Sequence, residues 1–150
     1  MSEFVAAGVD AIVVGAHALA AHGIVRATKD LDVWVRPSHD NASRVFVALA
    51  RFGAPLENIA VDDLSRPDTI VQIGVPPERI DVITGVSGLD FDPAWARRVP
   101  ARLQGVQVAV LGVADLIVNK RASGRLQDLA DVEQLERLLA QSGQGQPDRG

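Results

Sequence analysis

The chain has 150 residues, 47% of them hydrophobic and 23% charged, with no cysteine and a mean hydropathy of +0.13. That size and balance fit one globular domain and exclude a disordered chain, a collagen-like repeat and a disulfide-stapled scaffold. The net charge of −4 is shared by both halves and argues against a general polyanion-binding surface; the basic residues Arg97, Arg98 and Arg102 are left as either local contacts or, as such charges more often are, a solvated helix face.

Glu3 stands near the start with no Lys or Arg around it, and the apolar stretch from Val5 to Ala21 is interrupted by Asp10 and His17. Neither a secretory leader nor a membrane-spanning helix is therefore expected, and the expected location is the cytoplasm. Ala11 to Val14 reads as a short buried strand stopped at Gly15, followed by an Ala-rich helix over Ala16 to Ala21 that ends at Gly23. Thr28 to Val35 is strand-forming, and Pro37 and Ser38 introduce a helix that runs to Phe52 and stops at Gly53. Thr69 to Val75 and Arg79 to Thr84 predict an antiparallel pair around Pro76 and Pro77, because no helical crossover fits between them. A helical turn starting at Pro93 and a short strand pair around Gly105, Ala101 to Leu103 and Val106 to Leu111, come next. Helices over Val113 to Ala122 and Gln127 to Ala140 complete the reading, the second burying a stripe of Leu129, Val132, Leu135, Leu138 and Leu139. The expectation is one α+β domain over residues 1–140, α/β-like in its alternation, with a mixed central sheet flanked by helices and a flexible Gly- and Gln-rich tail over 141–150.

Two carboxylates interrupt the strand that contains Asp30-Leu31-Asp32-Val33. Side chains alternate faces along a strand, so Asp30 and Asp32 point the same way, with Cα atoms about 6.8 Å apart. Leu31 and Val33 then face an apolar layer beneath them. Asp81 sits between Ile80 and Val82 in a later strand, and a neighbouring strand lies about 4.8 Å away, so three carboxylates can converge. Like charges at this range raise one another's pKa unless a cation compensates them; Lys29 or Arg79 could neutralise one acid, and a divalent cation all three. An all-oxygen donor set suits Mg²⁺ or Mn²⁺ rather than structural Zn²⁺.

Gly15 closes a strand and opens a helix, a turn whose backbone amides can face phosphate. No Walker loop, no dinucleotide fingerprint and no nucleophile elbow is present, and aromatic residues are too few for a base-stacking platform. His17 and His22 are poorly spaced to share one helical face, and buried or capping roles suit them better than metal ligation.

The order of an apolar strand, Gly15-Ala16, thirteen intervening residues, Asp30-Leu31-Asp32-Val33 and Ile80-Asp81-Val82 resembles the polymerase-β-like nucleotidyltransferase superfamily. With His22-Gly23, Arg26, Thr28, Lys120 and the run Arg125-Leu126-Gln127-Asp128-Leu129-Ala130-Asp131, it resembles in particular the small AbiEii-type nucleotidyltransferases, many of them toxins of toxin-antitoxin pairs. The likeness covers roughly residues 11 to 140. Gln127 stands where many members carry Arg, Ala16 stands where Gly or Ser is usual, and the large helical C-terminal domain of longer toxins is not found.

The resemblance implies transfer of a nucleoside monophosphate from an NTP to a macromolecular acceptor, a tRNA 3′ end or a protein hydroxyl. Asp30, Asp32 and Asp81 would hold two metals, the Gly15 and Ala16 amides would steady phosphates, and Lys120 would clamp their charge. Arg26 and Thr28 would order the loop leading to the acids, and Arg125 and Asp128 would pair in support. A cognate antitoxin and a homodimer are the expected partners, and no membrane is expected. The alternative is a nucleotide- or partner-binding regulatory module without turnover, since Ala16 lacks the hydroxyl that would contact phosphate.

Overall fold

The computed structural model describes residues 1–26, 30–74 and 79–144, with side chains through 142. The elements are α1 (Ser2–Ala6), β1 (Ala11–Val14), α2 (Gly15–Ala21), β2 (Leu31–Val35), α3 (His39–Phe52), α4 (Val61–Ser65), β3 (Ile70–Ile73), β4 (Ile80–Ile83), α5 (Phe91–Ala96), β5 (Val99–Leu103), β6 (Val106–Val110), α6 (Val113–Ser123) and α7 (Leu126–Gln144). The strands form one six-stranded sheet in the order β3-β4-β2-β1-β6-β5. β1 is antiparallel to β2 and parallel to β6, β2 is parallel to β4, and the pairs β3–β4 and β5–β6 are antiparallel. The sheet is mixed and the class is α+β, as expected.

Local chemistry explains the elements that position the site. All four residues of β1 are buried, so it runs as an apolar strand through the middle of the sheet. α3 starts where the Ser38 hydroxyl oxygen accepts a hydrogen bond from the Asn41 amide at 3.2 Å, and it ends at Gly53, whose φ of 88° suits glycine. Its buried face, Ala42, Val45, Ala48 and Leu49, recurs every three or four residues and packs with Val33, Val35 and Val82 on one side of the sheet. The other side packs Ile12, Trp34, Val108 and Val110 against α2, α5, α6 and α7, with the Phe91 ring edge-on to Trp34 at 5.2 Å.

α1 and α4 were not foreseen, because five-residue helices are too short for a periodic signal. β2 begins at Leu31, so Asp30 lies just before the strand; Thr28 and Lys29 fall outside the described residues, as do Val75, Pro76 and Pro77. On α7, Leu129 and Leu139 are about half exposed, and the inward face is Asp128, Asp131, Val132, Leu135 and Leu138. The helix wheel is shifted because two carboxylates, each paired to cations, take the inward positions. α7 continues through Gln144, and 145–150 lie outside the described residues.

The basic run is more than a solvated face. Arg97 forks onto the buried Asp115 with contacts of 2.9 to 3.2 Å, tying α5 to α6. Arg98 lies 3.9 Å above the Trp95 ring, and Arg102 is on β5. Among the described residues no helix is long and apolar enough to cross a membrane.

Candidate active site

The sheet brings the acids together at the end where β1 finishes and β2 and β4 begin. The antiparallel β1–β2 register sets Val14 opposite Asp32, and the parallel β2–β4 register sets Asp32 opposite Asp81. Asp32 and Asp81 therefore share a face of the sheet as directly opposed residues of adjacent strands. Val33 and Val82, one residue further along each strand, are fully buried on the opposite face and fix the backbone beneath them.

Gly15 follows Val14 directly with φ +68°, and a Cβ on it would stand 2.5 Å from Asp32 Oδ2. Two independent constraints thus demand glycine: a left-handed backbone and the close approach of a carboxylate. Ala16 comes next, in the first turn of α2. The far end of α2 is held by His22, whose Nε2 lies 2.8 Å from the Leu111 carbonyl oxygen and ties the helix end to the segment between β6 and α6.

Arg79 sits across the acids. Its carbonyl accepts from the Leu31 amide at 3.0 Å, and its Nη2 donates to Asp30 Oδ2 at 2.8 Å. The same nitrogen is 3.4 Å from Asp81 Oδ2, and Nε is 3.1 Å from Asp81 Oδ1. The sequence marked Arg79 as a neutraliser of one acid; here one guanidinium serves two. Only the parallel β2–β4 pairing reveals that, since Arg79 and Asp30 are far apart in the chain.

Among the described residues, the Arg79 guanidinium faces three carboxylates and contacts two of them. Burial first, then the close approach and charge of Asp81 and the charge of Asp30, raise the Asp32 pKa from 3.8 to about 6, against the opposing pull of Arg79. A raised pKa in an acid means that the folded state binds the proton more tightly than the unfolded chain. Ionised Asp32 therefore costs stability above about pH 6, and that cost fades as pH falls through 6 toward 3.8. At about 1.4 kcal/mol per pK unit the ceiling is about 3 kcal/mol, and solvent screening at this half-buried carboxylate brings the realised cost well below it. Asp32→Asn is expected to raise the metal-free melting temperature at pH 8 by several degrees, with the gain shrinking by pH 4.5. An equal gain at every pH, or none, contradicts the electrostatic origin.

A second cluster joins the other residues singled out by sequence. Lys120 Nζ lies 3.1 Å from Asp128 Oδ1 and 3.3 Å from Asp131 Oδ2, Arg125 Nε is 2.7 Å from Asp128 Oδ2, and Arg26 Nη2 pairs with Asp131 Oδ1. Both carboxylates are almost completely buried. Burial pushes the Asp128 pKa up, but the hydrogen bonds and charges of Arg125 and Lys120 more than offset it and hold the group below its ordinary value. The local Arg125–Asp128 pair is as expected; the long-range Arg26–Asp131 tie, which links α7 to the segment leading to Asp30, left no signal in the sequence. Thr28 lies outside the described residues.

A cleft of about 570 Å³ is lined by residues that include Met1, Phe4, Trp95, Arg98 and Gln107, and by none of the three acids. Its size alone gives no reason to place chemistry there. The three carboxylates are hard oxygen donors, and the like-charge cost at Asp32 is what a divalent cation would remove, so the donor set fits Mg²⁺ or Mn²⁺ in kind. Among the described residues no group of three acids, histidines or cysteines stands ready to hold a metal ion, and Asp30 is engaged by Arg79.

The family described as "Nucleotidyltransferase of unknown function (DUF6036)" matches residues 5–141. That span covers most of the chain, which therefore belongs to this nucleotidyltransferase family. No curated protein matches the chain.

Proposed function

We propose that this member of the nucleotidyltransferase family transfers a nucleoside monophosphate from an NTP to a hydroxyl on a macromolecular acceptor, with Mg²⁺ or Mn²⁺ held by Asp30, Asp32 and Asp81. The observation that carries the reading is the meeting of Gly15, Asp32 and Asp81 at one end of the sheet, with the glycine turn packed directly on the carboxylate. A turn that close to the acids can set phosphate oxygens beside them. The AbiEii-type resemblance further suggests a tRNA 3′ end or a protein hydroxyl as acceptor and a toxin role balanced by an antitoxin.

In such a transfer an acceptor oxygen attacks the α-phosphorus and pyrophosphate leaves. The bound cation would supply positive charge to the oxygens on which negative charge develops. Asp32 and Asp81, fixed by their strand register, would orient that charge, and Asp81 could accept the acceptor's proton. The Gly15 and Ala16 amides would hold the departing phosphates. Lys120, Arg125 and Asp128 would act through their ion-pair network, which anchors Arg26 and the approach to Asp30.

Ala16 favours a second reading, a module that binds nucleotide without turnover, because it offers phosphate an amide but no hydroxyl. The experiment is incubation with each of four α-labelled NTPs and Mg²⁺ in the presence of total tRNA or lysate protein. Label should enter one acceptor class with the wild type and be lost in Asp32→Asn and Asp81→Asn. NTP binding with neither incorporation nor pyrophosphate release selects the binding module, and incorporation that survives both substitutions rules out the proposed site.

A further inference from the structure

We propose that Arg79 is an internal counter-cation that must release Asp30 and Asp81 before a divalent ion can bind, so that metal loading is a competition between the guanidinium and the ion. The proposal rests on the reading of Asp30, Asp32 and Asp81 as cation ligands.

The strand geometry makes the competition unavoidable. Alternation places Arg79 and Asp81 on one face of the β4 edge of the ladder, the face that Asp32 shares through its register with Asp81. The Arg79 backbone is pinned there by the Leu31 amide, so the root of its side chain is fixed beside the acids. Nη2 contacts Asp30 Oδ2 at 2.8 Å and Asp81 Oδ2 at 3.4 Å, occupying oxygens an entering ion would need.

The hold is imperfect in a way that suits replacement. Nε and Asp81 Oδ1 are 3.1 Å apart, yet both are buried atoms that make no hydrogen bond, so the ion pair lacks alignment. A planar fork matches one carboxylate face to face, whereas here it is stretched between two. The Arg79 side chain is also 28% exposed, which leaves it a path outward to water. A monovalent group that neutralises part of a triad, poorly aligned and free to leave, prevents carboxylate repulsion in the empty site at the expense of ion affinity.

The apparent affinity of an ion for a site whose competent state is partly populated falls by that fraction. Removing the competing charge should therefore tighten binding. In calorimetric titration of the full chain with Mn²⁺ alone, Arg79→Gln is expected to bind about tenfold more tightly than the wild type. The same variant should melt at a lower temperature without metal and gain more from saturating Mn²⁺. Arg79→Lys keeps the charge but cannot reach two carboxylates as a fork, so its affinity should fall between the two; it serves as the test if Arg79→Gln does not fold. Equal or weaker Mn²⁺ binding by the Arg79 variants, with the wild type still binding, overturns the competition and leaves the cation site standing. Absence of Mn²⁺ binding from wild type and variants alike overturns the cation site itself, and the competition with it.

Discussion

Replacing Gly15 with alanine is expected to destabilise the protein by about 2–3 kcal/mol and to abolish any function that depends on Asp32. A non-glycine residue held in the left-handed region costs about 1–2 kcal/mol. The remainder comes from the new methyl group, which would stand 2.5 Å from Asp32 Oδ2 and must push that carboxylate away from Asp81. A double-mutant cycle separates the two causes. In an Asp32→Ala background the collision is gone, so Gly15→Ala should then cost only the backbone strain. Equal costs in both backgrounds, measured by denaturant unfolding, would show that the close approach contributes nothing.

Lys120→Met should cost about 3 kcal/mol, because it keeps most of the apolar stem and removes the ammonium with its charge and N–H donors. Asp128 and Asp131 are each about 1% exposed, and taking away a shared partner leaves buried carboxylates under-compensated. Arg125 and Arg26 still serve one acid each, which places the loss at the lower end of the range for broken buried pairs. For a domain of this size the melting temperature should fall by roughly 10 °C. A variant that melts like the wild type but loses only affinity for NTP would instead assign the ammonium to substrate.

The fold was readable wherever local chemistry was decisive. Gly53 ends α3 where the sequence stops that helix, Ser38 caps its start, and Asp32 and Asp81 lie in adjacent strands. Leu129 and Leu139 misled because helical spacing cannot distinguish a leucine stripe from a face on which buried acids find cations. That distinction depends on Lys120, Arg125 and Arg26, which reach α7 from three places in the chain. Arg79 shows the same limit at the site: its residue type announced a neutraliser, but its span across Asp30 and Asp81 follows from the parallel register of β2 and β4. The juxtaposition of Gly15 and Asp32 was foreseen only as membership of one site; the direct packing needed the antiparallel β1–β2 pairing.

The most direct test of the central claim is calorimetric titration of the wild type and Asp32→Asn with an NTP, each with and without Mg²⁺. Asp32→Asn is the right control because removal of like-charge repulsion should leave it at least as stable as the wild type at pH 8. The account predicts NTP binding that requires Mg²⁺ in the wild type and is lost in the folded variant. Binding of equal strength in both proteins, or binding indifferent to Mg²⁺, would contradict it.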